Sequence, residues 1–474
     1  THDVGGVAMA EKSRFDLVVV GSGPGGYVAA VHAARLGLQV ACVEKNPRLG
    51  GVCLNVGCIP SKALLDSSEF YHLAKEKLGA HGVKTGRVGL DLAAMMARKD
   101  KVVGELTGSV QKLLENHKVR IVAGEARLSG PDQVAVAPAA GGEPQTLSAG
   151  AILLATGSEP MALEGLDFDG ERVVSSTEAL AFDAVPKHLA IVGGGYIGLE
   201  LGSVWQRLGA KVTVIEMLPQ IAAGLDGQIG RKLKQVLTRQ GFTFRLETRV
   251  SAARVKGKTV HVSLEAGDKV ETLTCDRLLV AVGRRPLTRG LGLAAVGVET
   301  DPKTGRVLVD AAYRTKVPSV YAIGDLVAGP MLAHKASAEG LAVAEIIAGR
   351  SAEVNYDAMP AIVYTWPEVA SVGLTQEQVK ERGIPHRIGT YPFGGNGRAR
   401  CMGETEGMVK LIAHERTDRI LGVHIIGPRA SDMIAEAVLA LELGAAAEDV
   451  ARTVHGHPTF AEALMEAALA VQRW

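Results

Sequence analysis

The sequence predicts an α/β protein: two dinucleotide-binding domains on parallel sheets, followed by an α+β domain at the C-terminal end. Three observations carry this. An order of strand, glycine turn, helix, strand and acid occurs twice at one spacing. Further apolar strands run into short glycine-bearing turns between and after the copies. From about Tyr356 these turns stop, and strands and helices mix.

The first copy opens with Phe15 to Val20, apolar and β-rich, and passes at once into Gly21-Ser22-Gly23-Pro24-Gly25-Gly26. A helix is predicted from Tyr27 to Leu36, closed by Gly37. A strand from Gln39 to Val43 then ends at Glu44. The second copy has the strand His188 to Val192, the turn Gly193 to Gly198, a helix from Leu199 to Leu208 and the strand Lys211 to Ile215. It ends at Glu216. First glycine and acid are 23 positions apart in both copies, which marks a repeated unit.

Each turn suits a dinucleotide. The first glycines, Gly21 and Gly193, allow the tight turn. The second, Gly23 and Gly195, let a phosphate approach the backbone. The third, Gly26 and Gly198, let helix and strand pack closely. The helix N-terminus adds unpaired N–H groups and partial positive charge. Glu44 and Glu216 are placed to accept from a ribose 2′-OH, and Glu216 would repel the 2′-phosphate of NADP, favouring NAD. A lone motif also fits a structural turn in another α/β fold. The second copy with its own acid weighs against that.

The remaining elements follow in order. Leu92 to Asn116 is predicted as a long helix, and 131–150 as turns between short strands. Ala151 to Ala155 is a strand ending at Thr156-Gly157. Leu278 to Gly283 repeats that ending, and Val320 to Ile323 runs into Gly324-Asp325. The tail from Arg429 to Val471 reads as helices. The expected domains are 14–157, 158–284, 285–355 as a second segment of the first domain, and 356–474.

Composition excludes several classes. Net charge is +1 with no long basic run, so no footprint for nucleic acid is present. No run of about 18 residues is free of polar groups, which argues against a membrane span. Residues 1–8, ahead of Met9, read equally as native sequence or as an added extension. No secretory signal and no Arg-rich leader is visible, so bacterial cytoplasm is expected over mitochondrial matrix. Five cysteines in a long chain do not make an extracellular disulfide scaffold.

Two of those cysteines, Cys53 and Cys58, flank Leu54-Asn55-Val56-Gly57 just after the first acid. Pro60 fits the first turn of a helix continuing through Ser61 to Leu65. Cys58 would then sit at a helix N-terminus, where a thiolate is stabilised, with Lys62 one turn on. Redox chemistry, two inert buried thiols and a metal site all remain open on these residues alone, although no second pair or nearby His pair completes a zinc set. Cys42 and Cys275 read as strand-core residues. Cys401 lies in a Gly-rich loop and is assigned nothing.

At Gly50-Gly51-Val52-Cys53 through Lys62 the chain resembles the pyridine nucleotide–disulfide oxidoreductases, and the likeness runs from about Phe15 to Leu469. Val52 departs from the usual Thr. The resemblance implies a Cys53–Cys58 redox disulfide, with FAD on the first turn and Glu44 at its adenosine ribose. Thr156, Gly157, Gly324 and Asp325 would complete the flavin site, with Asp325 at the ribityl side. NAD would take Gly193, Gly195, Gly198, Glu216 and Gly283. Lys62 is similar to the lysine near flavin N5, and Glu200 to its carboxylate partner. On the residues alone a solvated helix charge is the favoured reading of both.

His457-Pro458-Thr459-Phe460-Ala461-Glu462 resembles the family's acid–base segment, implying His457 as base and Glu462 as its orienting carboxylate. On the residues alone, a capping box of Thr459 and Glu462 with His455 and His457 as loop histidines stands level with the acid–base reading. In the family this pair reaches the partner subunit's site, so the 356–474 domain is implied to dimerise and the chain to act as a homodimer. Met331 to Ala336 leans toward members that oxidise dihydrolipoamide with NAD. The implied partner is then a lipoyl-bearing acyltransferase of 2-oxo acid dehydrogenase complexes, or a glycine-cleavage carrier. An NADH-dependent reductase of another small disulfide, and a flavoprotein kept mainly as a binding subunit or antigen, are the alternatives.

Overall fold

The computed structural model describes residues 14–472 except 140, so residues 1–8, ahead of Met9, lie outside the described residues. The chain packs as two compact units. The first collects the chain up to Ile59, Lys101–Glu159 and Arg284–Val354. The second collects Pro60–Asp100, Pro160–Gly283 and the chain from Asn355 on.

In the first unit the strand Arg14–Val20 is central. It pairs in parallel with Val40–Glu44 on one side and Gln145–Leu154 on the other. Val320–Ala322 adds to Gln145–Leu154, also in parallel. Both faces are covered, so the strand reads as continuous apolar sequence. Leu17 and Val19 pack into one core cluster, Val18 and Val20 into another. Val20 lies opposite both Val43 and Leu154, and Leu154 opposite Ala322. The parallel strands therefore end level. The residues that follow, Gly21, Glu44, Ala155 and Ile323, come together at the carboxyl edge of the sheet, where such folds bind ligands.

The helix Pro24–Arg35 starts inside the glycine turn, three residues before the expected Tyr27. Proline at the first helical position loses only an N–H that would be orphaned anyway. This helix lies close on Ala333–Ile347. A Cβ added at Gly25 would stand 2.9 Å from the Ala336 carbonyl oxygen, and one at Gly340 would stand 2.5 Å from that of Gly25. Residues 131–150 form Gln133–Pro138 and the start of Gln145–Leu154, as expected of short strands between turns.

The second unit repeats the arrangement. Phe242–Arg245, Lys211–Ile215, His188–Val192, Arg277–Val280 and Val173–Val174 form a parallel sheet in that order. Val192 lies opposite Ile215 and Val280. The helix Tyr196–Arg207 again begins earlier than expected, within the turn. An antiparallel meander, Arg249–Lys256, Thr259–Ala266 and Lys269–Cys275, stands beside this sheet in sequence. From Ala361 to Gly427 a five-stranded antiparallel sheet forms, and the helices Ala430–Glu442, Ala447–Arg452 and Glu462–Gln472 follow. Gly389 has no side chain because a Cβ there would collide with the Ala467 carbonyl oxygen of the last helix.

A buried ion pair lies within this unit: Lys410 Nζ stands 2.8 Å from Asp226. Asp226 also caps the helix Gly227–Arg239 by accepting from the Gln228 N–H. Burial works against the carboxylate, but the Lys410 hydrogen bond and charge, His424 and the Gln376 N–H together outweigh it and hold Asp226 below its ordinary range. Among the described residues no helix is long and apolar enough to cross a membrane.

Candidate active site

The two glycine turns superimpose in logic, residue by residue. Gly21 and Gly193 have φ of +102° and +103°, a left-handed region that favours glycine. A Cβ on Gly21 would also stand 2.5 Å from the Ala155 carbonyl oxygen, and one on Gly193 would collide with that of Ala281. The third glycines, Gly26 and Gly198, would each collide with the carbonyl oxygen of the first. The second glycines differ. A Cβ on Gly23 meets nothing nearer than 4.0 Å, and one on Gly195 meets nothing within 4 Å. Packing explains the first and third glycines of each turn. It leaves the second facing open space beside a helix N-terminus, as a phosphate cradle requires.

The two acids also share a role that sequence reasoning missed. Glu216 Oε2 accepts from the Gly194 N–H at 2.7 Å, and Glu44 Oε2 accepts from the Ser22 N–H at 3.0 Å. Each carboxylate therefore ties down the residue after the first glycine. Glu44 takes three more donors: the Ser22 hydroxyl, the Asn46 N–H and the Asn46 amide. A carboxylate offers about four acceptor positions. A ribose hydroxyl at Glu44 thus has to displace the Ser22 or Asn46 side chain. Glu216 keeps more room, with only the Leu218 N–H on its other oxygen.

Cys53 lies on the short helix Gly51–Val56, which was not expected, and Cys58 is the first residue of the helix Cys58–His72, as expected. Both are half-buried. Tyr27, Cys53 and Ile59 pack against one core cluster. Burial raises the Tyr27 phenol, and Cys53 adds to the rise. Lys62, one turn into the second helix, meets Glu200 at 2.8 Å. Glu200 is buried, and its other oxygen accepts from the Tyr364 N–H. The Tyr364 ring lies 4.3 Å below Lys62 Nζ. Lys62 is therefore fixed from two sides, unlike a solvated helix charge. Tyr364 could not have been found from local sequence.

His457 Nδ1 meets Glu462 Oε1 at 2.7 Å, and Glu462 Oε2 accepts from the Thr459 N–H. The Thr459 N–H, then His457, hold Glu462 below the usual carboxylate range. Half of the alternative capping box is thus real. The Thr459 hydroxyl donates to the Gly456 carbonyl. His457 is 78% exposed, whereas His455 is nearly buried and pairs with Glu436. Imidazole with an anchored Nδ1 and an open Nε2 is a ready base.

Residues 15–340 match the pyridine nucleotide-disulphide oxidoreductase family, and 359–468 match its dimerisation domain. The chain belongs to the pyridine nucleotide–disulphide oxidoreductases. It is 50% identical to the mitochondrial dihydrolipoyl dehydrogenase of Rattus norvegicus and 49% to that of Homo sapiens. Each match covers 96% of this chain and 90% of the relative. Among solved structures, LpdA from Mycobacterium tuberculosis aligns with a TM-score of 0.89 at 26% identity, covering 96% of this chain and 99% of that one. The HOCl-induced flavoprotein disulfide reductase RclA from Escherichia coli aligns at 0.84 and 26%, covering 96% and 100%. The expected fold class, family and FAD- and NAD-linked dehydrogenase activity stand on these matches. The dimerisation domain supports the homodimer.

The residues expected at the flavin make the following contacts. Thr156 donates to the Leu287 carbonyl, and the Leu287 N–H donates to that of Gly157. Asp325 accepts from the Ser158 hydroxyl, which in turn accepts from Arg284 Nε at 2.7 Å. Burial pushes the Arg284 guanidinium down, while Asp325 and Cys58 pull it back up. Ser158 and Arg284 were both missed. The open cradle at Gly23 and the converging strand ends fit a dinucleotide such as FAD.

The remaining cysteines stand apart from the site. Cys42 and Cys275 are strand residues whose thiols burial pushes up to about 12. Cys401 is exposed on the short helix Gly397–Met402 and not in a loop, because Asn396 caps that turn by accepting from the Ala399 N–H.

Proposed function

We propose that this chain oxidises dihydrolipoamide with NAD through Cys53, Cys58 and His457. The observation that carries the reading is the His457–Glu462 contact at 2.7 Å, in a chain about half identical to dihydrolipoyl dehydrogenases. The proposed domains are 14–157 and 285–355 for FAD, 158–284 for NAD and 356–474 for dimerisation.

Glu462 holds the Nδ1–H tautomer, so Nε2 of His457 accepts the substrate thiol proton. The exposure of His457 on one chain suits a base that serves the partner subunit's cysteines. The substrate thiolate attacks Cys53 Sγ of the Cys53–Cys58 disulfide, and Cys58 leaves as thiolate. Its place at a helix N-terminus stabilises that charge. The second substrate thiol displaces Cys53, closing the substrate disulfide and leaving the enzyme dithiol. FAD, when bound, carries the electron pair from that dithiol to NAD. Lys62, pinned by Glu200 and Tyr364, supplies a fixed positive charge near the flavin. Gly193, Gly195, Gly198 and Gly283 line the NAD side, and Glu216 selects against a 2′-phosphate.

The proposed substrate form is a lipoyl arm on a 2-oxo acid dehydrogenase acyltransferase, in a bacterial cytoplasm. Cell fractionation and co-purification test that setting. Anaerobic stopped-flow mixing with dihydrolipoamide tests the chemistry. A long-wavelength flavin–thiolate band, then NADH on adding NAD, is expected. A spectrum that ignores dihydrolipoamide but bleaches with NADH would move the substrate to another small disulfide. His457→Gln should cut turnover by about 100-fold or more with FAD retained.

A further inference from the structure

The mechanism does not use a buried ion pair on the helix Ala333–Ile347. Lys335 and Glu339 are both fully buried and lie 2.9 Å apart. Burying two charges is costly, and such a pair persists only when its remaining hydrogen-bonding positions are met. Here both partners bond one residue. Lys335 Nζ donates to the Gly324 carbonyl at 2.9 Å, and Glu339 Oε2 accepts from the Gly324 N–H at 2.7 Å. Gly324 has φ of +72°, in the left-handed region. Its carbonyl belongs to the peptide bond that leads into Asp325.

We propose that Lys335 and Glu339 are positioning residues. They hold the two peptide groups that flank the Gly324 α-carbon and so aim Asp325 at the flavin. The inference rests on the reading of Asp325 as a flavin ligand. A purely apolar contact would fill the same space without fixing the direction of a peptide plane. Two opposite charges on one helix, one turn apart, fix the N–H and the C=O together. The net charge added beside the flavin is zero, so the pair orients without imposing a field of one sign. Asp325 is steadied separately by Ser158. The clamp thus sets the backbone, and Ser158 sets the side chain.

The test is FAD release from the holoenzyme, followed by flavin fluorescence, together with the melting temperature. Lys335→Met with Glu339→Met removes both clamps and leaves no buried charge unpaired. The Gly324 N–H loses its acceptor while the Gly324 carbonyl keeps the Val327 N–H, so the melting temperature should fall by a few degrees, and FAD should be released about ten- to a hundred-fold faster. Asp325→Ala should do the same. Combining all three changes should add nothing beyond Asp325→Ala, because the clamp acts through Asp325.

Unchanged FAD release in the double variant overturns the clamp while leaving Asp325→Ala to judge the flavin reading. Effects that multiply in the triple variant overturn the route through Asp325. Release unaffected by Asp325→Ala overturns the flavin reading itself, and the clamp with it. Should the double variant not accumulate, Glu339→Gln decides. It exchanges the charged acceptor of the Gly324 N–H for a weaker neutral one, and so should release FAD several-fold faster, whereas a parental rate overturns the proposal.

Discussion

The two glycine turns share a motif, a spacing and a φ at the first glycine, yet their surroundings differ. Around the first, Ser22 and Glu44 are buried, and every acceptor position of Glu44 is used. The helix behind it is locked to Ala333–Ile347 through glycine contacts. Around the second, Glu216 is half-buried, and Ile197, Met217, Leu218 and Val282 are exposed apolar side chains. A cradle whose flanking polar groups are buried and fully bonded suits a cofactor that stays. An accessible one, with apolar surface near the turn, suits a co-substrate that exchanges. The same motif thus sits in two settings, and the settings match the proposed order of FAD first and NAD second.

The harshest way to break this comparison is to fill the third glycines. Gly26→Ala and Gly198→Ala each force a Cβ into a backbone carbonyl, which cannot yield as a side chain does. Each should cost about 3 kcal/mol by chemical denaturation. If the first unit is the more tightly closed, Gly26→Ala also yields protein without flavin, while Gly198→Ala protein that does accumulate still carries it. Flavin loss from both would remove the distinction.

The acids come next. Glu44→Gln turns one acceptor into a donor facing groups that are themselves donors. It should cost about 2 kcal/mol, whereas Glu216→Gln at a half-exposed site should cost under about 1 kcal/mol. Equal costs in urea melts would mean that burial does not separate the two carboxylates.

Filling the second glycines is gentler on the fold and sharper on function. Gly23 and Gly195 have φ of −64° and −79°, which alanine adopts freely, and each faces open space. Gly23→Ala and Gly195→Ala should leave apoprotein stability within about 0.5 kcal/mol. Gly23→Ala should weaken FAD binding, and Gly195→Ala should raise the KM for NAD with flavin retained, each by about ten-fold or more. Crossed effects would reverse the assignment of cofactors.

These contrasts also separate what the sequence holds from what it hides. The glycine turns, the acids and the Cys53–Cys58 spacing are local, so a short window displays them. The helix Gly51–Val56 escaped because Gly50 and Gly51 read as breakers. In the fold they take φ of +98° and +61° and turn the chain into that helix. Glu44 and Glu216 were legible as acids, but their bonds to the turn need the strands aligned in parallel first. Ser158 lies 126 positions from Arg284 and 167 from Asp325, and they are joined only when the strands end level. Lys335 and Glu339 look like an ordinary i,i+4 surface pair. Only burial shows that Gly324 is their partner.

The smallest expected effect separates the two units by pH. Burial lowers the pKa of His72, His188 and His424, and all three belong to the second unit. Each histidine takes up a proton more readily unfolded than folded. Stability is therefore full above the ordinary histidine range, and it falls as pH drops through that range. Each histidine contributes at most about 1.4 kcal/mol per pH unit. Glu69 and Glu368 are raised by burial and oppose this, but only nearer the ordinary glutamate range. The window is thus about pH 7 to 5.5. His424 is the cleanest probe, because it is fully buried beside Asp226 and Lys410, with Nε2 bonded to the Leu374 carbonyl. His424→Gln keeps a donor for that carbonyl and does not titrate. Its melting temperature should fall less between pH 7 and 5.5 than the parent's, and an equal fall would place the acid-sensitive step outside this part of the second unit.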